Sequence, residues 1–194
     1  MPKLYFRYGT MGSSKTANLL MVAHNYTNNH KKKILIVKPS IDTRSGEYIE
    51  SRAIEKPLKA DIIIHEEVDD LLIDTNGYSL VLVDEAQFLS KRNVDALRKI
   101  TRHIPVICYG LRTDYKTQLF PGSKRLMEIA DSIEEIKTSC SECDKKAIVT
   151  GKFVWEDKNI TSYPTIVRNG SDTPEIGWDE QYHSLCWFCW NDYI

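Results

Sequence analysis

A chain of 194 residues with 42% hydrophobic content holds enough apolar material for one full core and a smaller appendage, which argues against a disordered chain. Its 26 basic and 27 acidic side chains leave a formal net charge of -1, so no global basic field is expected to hold nucleic acid nonspecifically. No apolar run reaches the ~18 residues of a membrane span, and the opening Met1-Pro2-Lys3-Leu4-Tyr5-Phe6 lacks the long apolar region of a signal peptide; a cytoplasmic protein without a membrane partner is expected.

Short apolar strands are predicted at 4–8, 34–37, 62–64, 80–83 and 106–109, separated by stretches with helical spacing. The first predicted helix runs from about Lys15 to about Asn28, with Leu19, Leu20, Val22, Ala23 and Tyr26 on its apolar face. Further helices are expected over 68–73, 92–103 and 123–130. This alternation predicts an α/β fold with a mostly parallel sheet flanked by helices. Lys31-Lys32-Lys33 reads as a solvated loop, and Cys108 as a buried strand residue.

Beyond about Thr138 the texture changes to cysteine pairs, aromatics and short β-like pieces. Two units follow: a nucleotide-binding α/β unit over 1–138 and a small β-rich unit over 139–194. Within the second, the interval from Trp155 to Gly177 holds Pro164, Gly170, Pro174 and many polar residues, and reads as a long loop.

Two stretches carry chemistry together. Gly9-Thr10-Met11-Gly12-Ser13-Ser14-Lys15-Thr16 directly follows the first strand, in the manner of a phosphate-cradling loop in P-loop nucleotide hydrolases. Backbone N–H groups of Thr10 to Lys15 are expected on phosphate oxygens, the Lys15 ammonium on the β and γ phosphates, and the Thr16 hydroxyl on Mg²⁺. Leu80-Val81-Leu82-Val83-Asp84-Glu85 then places two carboxylates at the carboxyl end of a buried strand, where a metal-bound nucleotide lies in such folds. Asp84 is expected to hold the Mg²⁺ shell, leaving Glu85 to act as general base. The usual loop has glycine just before the lysine; here that place is Ser14. If the loop keeps its usual path, Ser14 takes a glycine-like backbone and strains the loop by roughly 1–2 kcal/mol, weakening nucleotide binding; alternatively Gly12 takes over the special geometry.

Cys140-x-x-Cys143 and Cys186-x-x-Cys189 form a tetrahedral Zn²⁺ pattern, since two short chelating turns supply four thiolates. His183, three residues before Cys186, is a possible competing ligand, with packing as its other role; a redox dithiol is the other reading of the cysteines.

Val83-Asp84-Glu85-Ala86-Gln87-Phe88 followed by Tyr109-Gly110-Leu111-Arg112-Thr113-Asp114-Tyr115 resembles the thymidine kinases of the cellular, bacterial and phage type. The resemblance continues through Asp42-Thr43-Arg44, Leu119-Phe120-x-Gly122-Ser123 and Tyr182-His183-Ser184-Leu185-Cys186, almost the whole chain. It implies transfer of the ATP γ-phosphoryl group to the 5′-hydroxyl of thymidine, with deoxyuridine as a further acceptor and Glu85 as proton acceptor. Gln87 joins Asp84 in the ATP-binding set. Phe88, Leu111, Tyr115 and Phe120 match the nucleoside pocket. Thr173, Pro174, Glu175, Ile176 and Gly177 match a lasso loop holding the pyrimidine through main-chain groups, with Tyr182 nearby; Trp178 departs from the residue type expected after it. Arg44 and, more weakly, Arg52 are phosphate-side cations. The resemblance also implies a homotetramer inhibited by thymidine triphosphate and no nucleic-acid partner. Two rivals stay open from the residues themselves: a nucleic-acid-dependent ATPase, because Asp-Glu-Ala-Gln also resembles helicase acidic motifs, and a noncatalytic zinc-stabilised binding module.

Overall fold

The computed structural model describes residues 1–65, 72–154, 165–167 and 182–192. Strand β1 (Leu4–Tyr8) leads into helix α1 (Lys15–His24), which continues as one π-helical turn over Asn25–Asn29. Strand β2 (Ile34–Pro39) is buried at every position, as befits a strand covered on both faces. A hairpin of β3 (Tyr48–Ser51) and β4 (Ile54–Lys59) follows, then β5 (Ile62–Ile64) and β6 (Leu80–Val83). Ser90 caps α2 (Lys91–Ile100) by accepting from the Asn93 N–H at 3.1 Å. After β7 (Val106–Gly110), Pro121 opens α3 (Pro121–Ile129) at a position where its missing N–H is harmless, and β8 (Ser132–Glu135) follows. The last elements are β9 (Val149–Val154), β10 (Thr165–Val167), β11 (Tyr182–Leu185) and α4 (Trp187–Asp192).

Six strands form one sheet in the order β5-β2-β6-β7-β1-β8, with every pair parallel. Successive side chains alternate between its faces. Leu35, Val37, Val81, Val83, Val106 and Cys108 pack with Val94, Leu97 and Ile100 of α2 and Leu126 of α3. On the other face Ile34, Ile36, Leu80, Leu82, Ile107 and Tyr109 pack with Leu19, Leu20 and Ala23 of α1 and Ile49 of the hairpin. Burial pushes the Cys108 thiol up, so it stays a protonated core side chain.

All five expected strands are present. The β3–β4 hairpin and β8 were not expected, because Tyr48-Ile49-Glu50-Ser51 and Ser132-Ile133-Glu134-Glu135 are too polar to read as buried runs. Both lie at margins of the fold, the hairpin as a separate two-stranded sheet and β8 as an edge strand beside β1. The helix expected over 68–73 falls largely outside the described residues, and its last two, Leu72 and Ile73, are not helical. A second, antiparallel sheet runs β10-β9-β11 and packs Val149, Phe153, Ile166 and Leu185 around Cys140, Cys186 and Trp190. Among the described residues no helix is long and apolar enough to cross a membrane.

Candidate active site

Because the six strands are parallel, their carboxyl ends share one edge, and the chemistry-bearing residues gather there. The segment after β1 forms the expected loop into α1. Gly9 N–H donates to the Gly110 carbonyl at 3.3 Å, tying the loop base to the end of β7. Gly12 and Ser14 both adopt left-handed backbone, at φ 75° and φ 62°; the two alternatives for the special geometry are therefore realised together. The buried Lys15 ammonium donates to the Thr10 carbonyl at 2.7 Å, and Thr16 lies half-buried on the first turn of α1. Two further loop N–H groups are engaged within the protein: Met11 donates to Thr150 Oγ1 at 3.2 Å and Ser13 to the Thr10 carbonyl at 3.3 Å.

Beyond β7 in the sheet, β6 ends at Val83 and delivers Asp84, whose N–H donates to the Val37 carbonyl at 3.0 Å. Burial pushes the Asp84 carboxyl up to about 7, with the Glu85 carboxylate adding to the shift and the Lys15 ammonium opposing it. A buried carboxyl held that high is poised for a cation, since a divalent ion would restore its charged form. Glu85 turns sharply away at φ 48°, a conformation that costs an L-residue on the order of 1–3 kcal/mol and persists only when its surroundings enforce it.

Those surroundings are polar contacts on both carboxylate oxygens. Glu85 Oε1 accepts from Arg44 Nη2 at 2.6 Å, and Oε2 accepts from Gln87 Nε2 at 2.5 Å. The other end of the buried Gln87 amide accepts the Leu111 N–H at 3.0 Å. Gly110 permits this approach: a Cβ there would sit 2.6 Å from Gln87 Oε1. Arg44 is itself held by Asp42, Nε to Oδ1 at 2.7 Å. Burial would lower the Arg44 pKa, but the Glu85 and Asp42 carboxylates outweigh it and raise it. Behind Asp42 stands Lys38, 1% exposed, pairing with Asp42 Oδ2 at 3.2 Å and donating to the carbonyls of Gly46 at 2.9 Å and Tyr48 at 3.2 Å. Sequence reasoning missed Lys38; the available signal was a lysine at the end of an otherwise apolar buried strand, a place it occupies only when paired. Arg52, the other expected cation, sits on the exposed turn joining β3 to β4.

The apolar residues expected around a nucleoside follow β6 and β7. Phe88 and Phe120 meet edge to face with ring centroids 5.7 Å apart, and both are half-buried, as is Leu111. Ser123 Oγ donates to the Leu111 carbonyl at 2.5 Å, so both polar groups of the Leu111 backbone are fixed. Tyr115 is buried, and its hydroxyl finds no hydrogen-bond partner among the described residues. Tyr182 lies half-buried on β11. Thr173 to Gly177 and Trp178 lie outside the described residues, as does most of the interval from Trp155 to Gly177.

Cys140, Cys143, Cys186 and Cys189 converge, their sulfurs all within 4.8 Å of one another. Cys143 and Cys186 are 3.8 Å apart and Cys143 and Cys189 3.6 Å. Four thiolates about 2.3 Å from a tetrahedral ion stand about 3.8 Å apart, whereas a disulfide needs about 2.05 Å, so the spacing fits a metal and not a bridge. The Cys189 N–H donates to Cys186 Sγ at 3.4 Å, the leading cause of a Cys186 pKa lowered to about 7. His183 stays out of the cluster and packs its ring on Phe153 at 4.8 Å.

A family model for thymidine kinase matches residues 2–190. A thymidine kinase of Streptococcus pyogenes serotype M6 is 39% identical over 193 residues, covering 91% of this chain and 100% of that protein. Thymidine kinases of Lactococcus lactis subsp. lactis and Lactiplantibacillus plantarum are each 37% identical, covering 96% of this chain and 95% and 94% of their own lengths.

Proposed function

The chain belongs to the thymidine kinase family, and from that premise we propose that it transfers the γ-phosphoryl group of ATP to the 5′-hydroxyl of thymidine at the carboxyl edge of the six-stranded sheet. The observation that carries this reading is the convergence there of the Lys15 loop and a fixed Glu85. Phosphoryl transfer asks a protein mainly for positioning and charge neutralisation. Lys15 must leave the Thr10 carbonyl to reach the β and γ phosphates, exchanging one oxygen acceptor for a more negative one.

Thr16 and Asp84 would hold Mg²⁺, which when bound neutralises phosphate charge. Glu85 accepts the proton of the attacking hydroxyl. Arg44 and Gln87 hold the Glu85 carboxylate in one orientation, and Arg44 also brings a cation to the phosphate side. Phe88, Leu111, Tyr115 and Phe120 form the walls for the base, and the orphaned Tyr115 hydroxyl suits a polar acceptor on a bound molecule. The four cysteines would hold one structural Zn²⁺. The division into a nucleotide-binding unit over 1–138 and a metal-bearing unit over 139–194 rests on the change of sequence texture near Thr138, and a cytoplasmic location on the lack of a long apolar run; a homotetrameric assembly and inhibition by thymidine triphosphate rest on family membership.

ADP formation measured with thymidine, with single-stranded DNA and with neither tests the assignment. Turnover that requires thymidine is expected. Turnover that requires polynucleotide, or none under any condition, would overturn it.

A further inference from the structure

Lys38 stands near the end of β2, where the strand leaves the apolar core for the loop that carries Arg44. Its side chain is buried, and an ammonium in such a place must find acceptors for its three N–H bonds. Asp42 Oδ2 lies at 3.2 Å, the Gly46 carbonyl at 2.9 Å and the Tyr48 carbonyl at 3.2 Å. These acceptors fall on both sides of Arg44 in the chain, so one ammonium clasps the loop before and after the guanidinium it presents. The backbone between them is a succession of turns: the Asp42 N–H donates to the Pro39 carbonyl at 3.3 Å, Gly46 to Thr43 at 3.3 Å and Tyr48 to Ser45 at 3.0 Å, with Gly46 left-handed at φ 57°. The side chains then run in line. Lys38 pairs with one oxygen of Asp42, the other oxygen accepts from Arg44 Nε at 2.7 Å, and Arg44 Nη2 donates to Glu85 Oε1 at 2.6 Å. Burial would raise the Asp42 pKa, but Arg44 and Lys38 outweigh it and lower it, so the middle of this line is a carboxylate.

We propose that Lys38 is a positioning residue for phosphoryl transfer, which through Asp42 and the loop backbone fixes Arg44 against Glu85. The proposal rests on the reading of Glu85 as proton acceptor and Arg44 as phosphate-side cation. A long side chain on a loop of turns loses much rotamer freedom when it is held in one place, so its order must come from anchors. A charge-assisted bond to a fixed carboxylate sets the direction of the guanidinium, and Asp42 is fixed because Lys38 holds its second oxygen from inside the fold. Without Lys38, Asp42 is free to turn and the carbonyls of Gly46 and Tyr48 lose their donor, so Arg44 can drift from Glu85. A displacement on the order of 1 Å near the chemistry can cost roughly 10²-fold in rate. Buried behind Asp42, Lys38 acts through these neighbours and not on the reacting atoms.

The test uses the full metal-loaded chain with Mg²⁺, ATP and thymidine, and reads kcat apart from the two KM values. Lys38→Met keeps an apolar stem without the ammonium. Its kcat should fall about 10- to 100-fold, the scale of a misplaced group, while the KM values for ATP and thymidine stay within about threefold. In an Arg44→Ala background the same substitution should change kcat by less than about threefold, because the residue it acts through is already gone. If Lys38→Met does not fold, Lys38→Gln, which keeps N–H donors without the charge, takes its place in both measurements. Wild-type kcat in the folded variant sinks the inference by itself. So does a loss as large in the Arg44→Ala background as in the wild type, or a rise of both KM values in step with the loss of kcat, because each marks a general loss of structure. Failure of both variants to fold makes Lys38 a residue of the fold and overturns its positioning role. A wild-type chain that forms no ADP in response to thymidine removes the kinase assignment and this inference with it.

Discussion

The carboxyl edge of the parallel sheet and the cysteine sheet solve the same problem, holding polar side chains in fixed places, by opposite means. At the sheet edge the frame is apolar: β6 and β7 are buried throughout, and Asp84 emerges from them with its direction already set. Among the described residues the cysteine sheet has three short strands and a six-residue helix, and at its centre are four thiols arranged as a metal would need them. Functional groups on the first are positioned by the fold; those on the second, under the proposed zinc assignment, would be positioned by a ligand that the fold binds. Substitutions at the two places should therefore fail differently, by lost chemistry with intact structure in one case and by lost structure with remote chemical effects in the other.

Glu85→Gln probes the edge most severely. The amide keeps the shape but cannot accept a proton, and turnover should fall about 10²–10⁴-fold with ATP and thymidine affinity largely retained. Steady-state kinetics with direct ligand titrations check this; turnover within a few-fold of wild type would remove Glu85 from the chemistry.

Asp84→Asn should lower Mg²⁺-dependent turnover by at least about 10²-fold while stabilising the metal-free protein, a combination only a group held for function gives. The sign follows from burial. With the folded carboxyl raised to about 7 from its ordinary 3.8, the folded state keeps a proton between those values that the unfolded chain releases. Stability from this site is thus lost as pH rises through that window and stays low above it. In chelating buffer, Tm of the asparagine variant minus Tm of wild type should grow between about pH 4 and pH 7 and then level off. A flat difference would mean that Asp84 is ionised without strain and that burial is not what prepares it for a cation.

Cys189→Ser addresses the other region. Zinc should fall from about one ion per chain to near none, since one thiolate in four is lost. Far-ultraviolet circular dichroism should keep most of its helical signal, because α1, α2 and α3 pack on the parallel sheet. ATP affinity should drop about 3- to 10-fold, because Thr150 and Ser184 of this sheet hold the Met11 peptide of the loop. Metal analysis and nucleotide titration read the two effects. Zinc loss without any change in ATP affinity would mean that the two sheets meet without influencing each other.

How much could be read beforehand follows the same division. The buried strands, the loop after β1 and the acidic end of β6 announce themselves because hydrophobic runs and strand-end placement are local signals. The cysteine spacing is local too, and it marks the four cysteines now seen together. What stayed hidden are side chains whose meaning lies in a distant partner. Lys38 is an ordinary lysine until Asp42 and the 46 and 48 carbonyls surround it, and Thr150 and Ser184 are ordinary strand residues until the Met11 peptide lies between them. Gln87, read as part of the ATP site, turns out to join Glu85 to Leu111 across two strand ends, a relation no spacing rule encodes.

Ser14→Gly carries the smallest expected effect and separates strain from binding. From the sequence, relief at this position would be expected to tighten ATP binding. The structure makes stability the better readout: Ser14 stands at φ 62° in the folded loop, and strain that the folded chain carries throughout cancels from the binding cycle. What glycine relieves is the folded state relative to the unfolded one. An L-residue in that conformation costs roughly 1–2 kcal/mol, while glycine gives back about 0.5–1 kcal/mol through its greater freedom when unfolded. The net gain should be about 0.5–1 kcal/mol, or a few degrees in Tm for a chain of this length. ATP affinity should stay within about twofold. Gly12→Ala supplies the mirror test: at φ 75° with open space around it, an added methyl meets no neighbour, so any loss of stability reports backbone strain alone. Tighter ATP binding by Ser14→Gly with unchanged Tm would show that nucleotide arrival, and not folding, forces Ser14 into its left-handed turn.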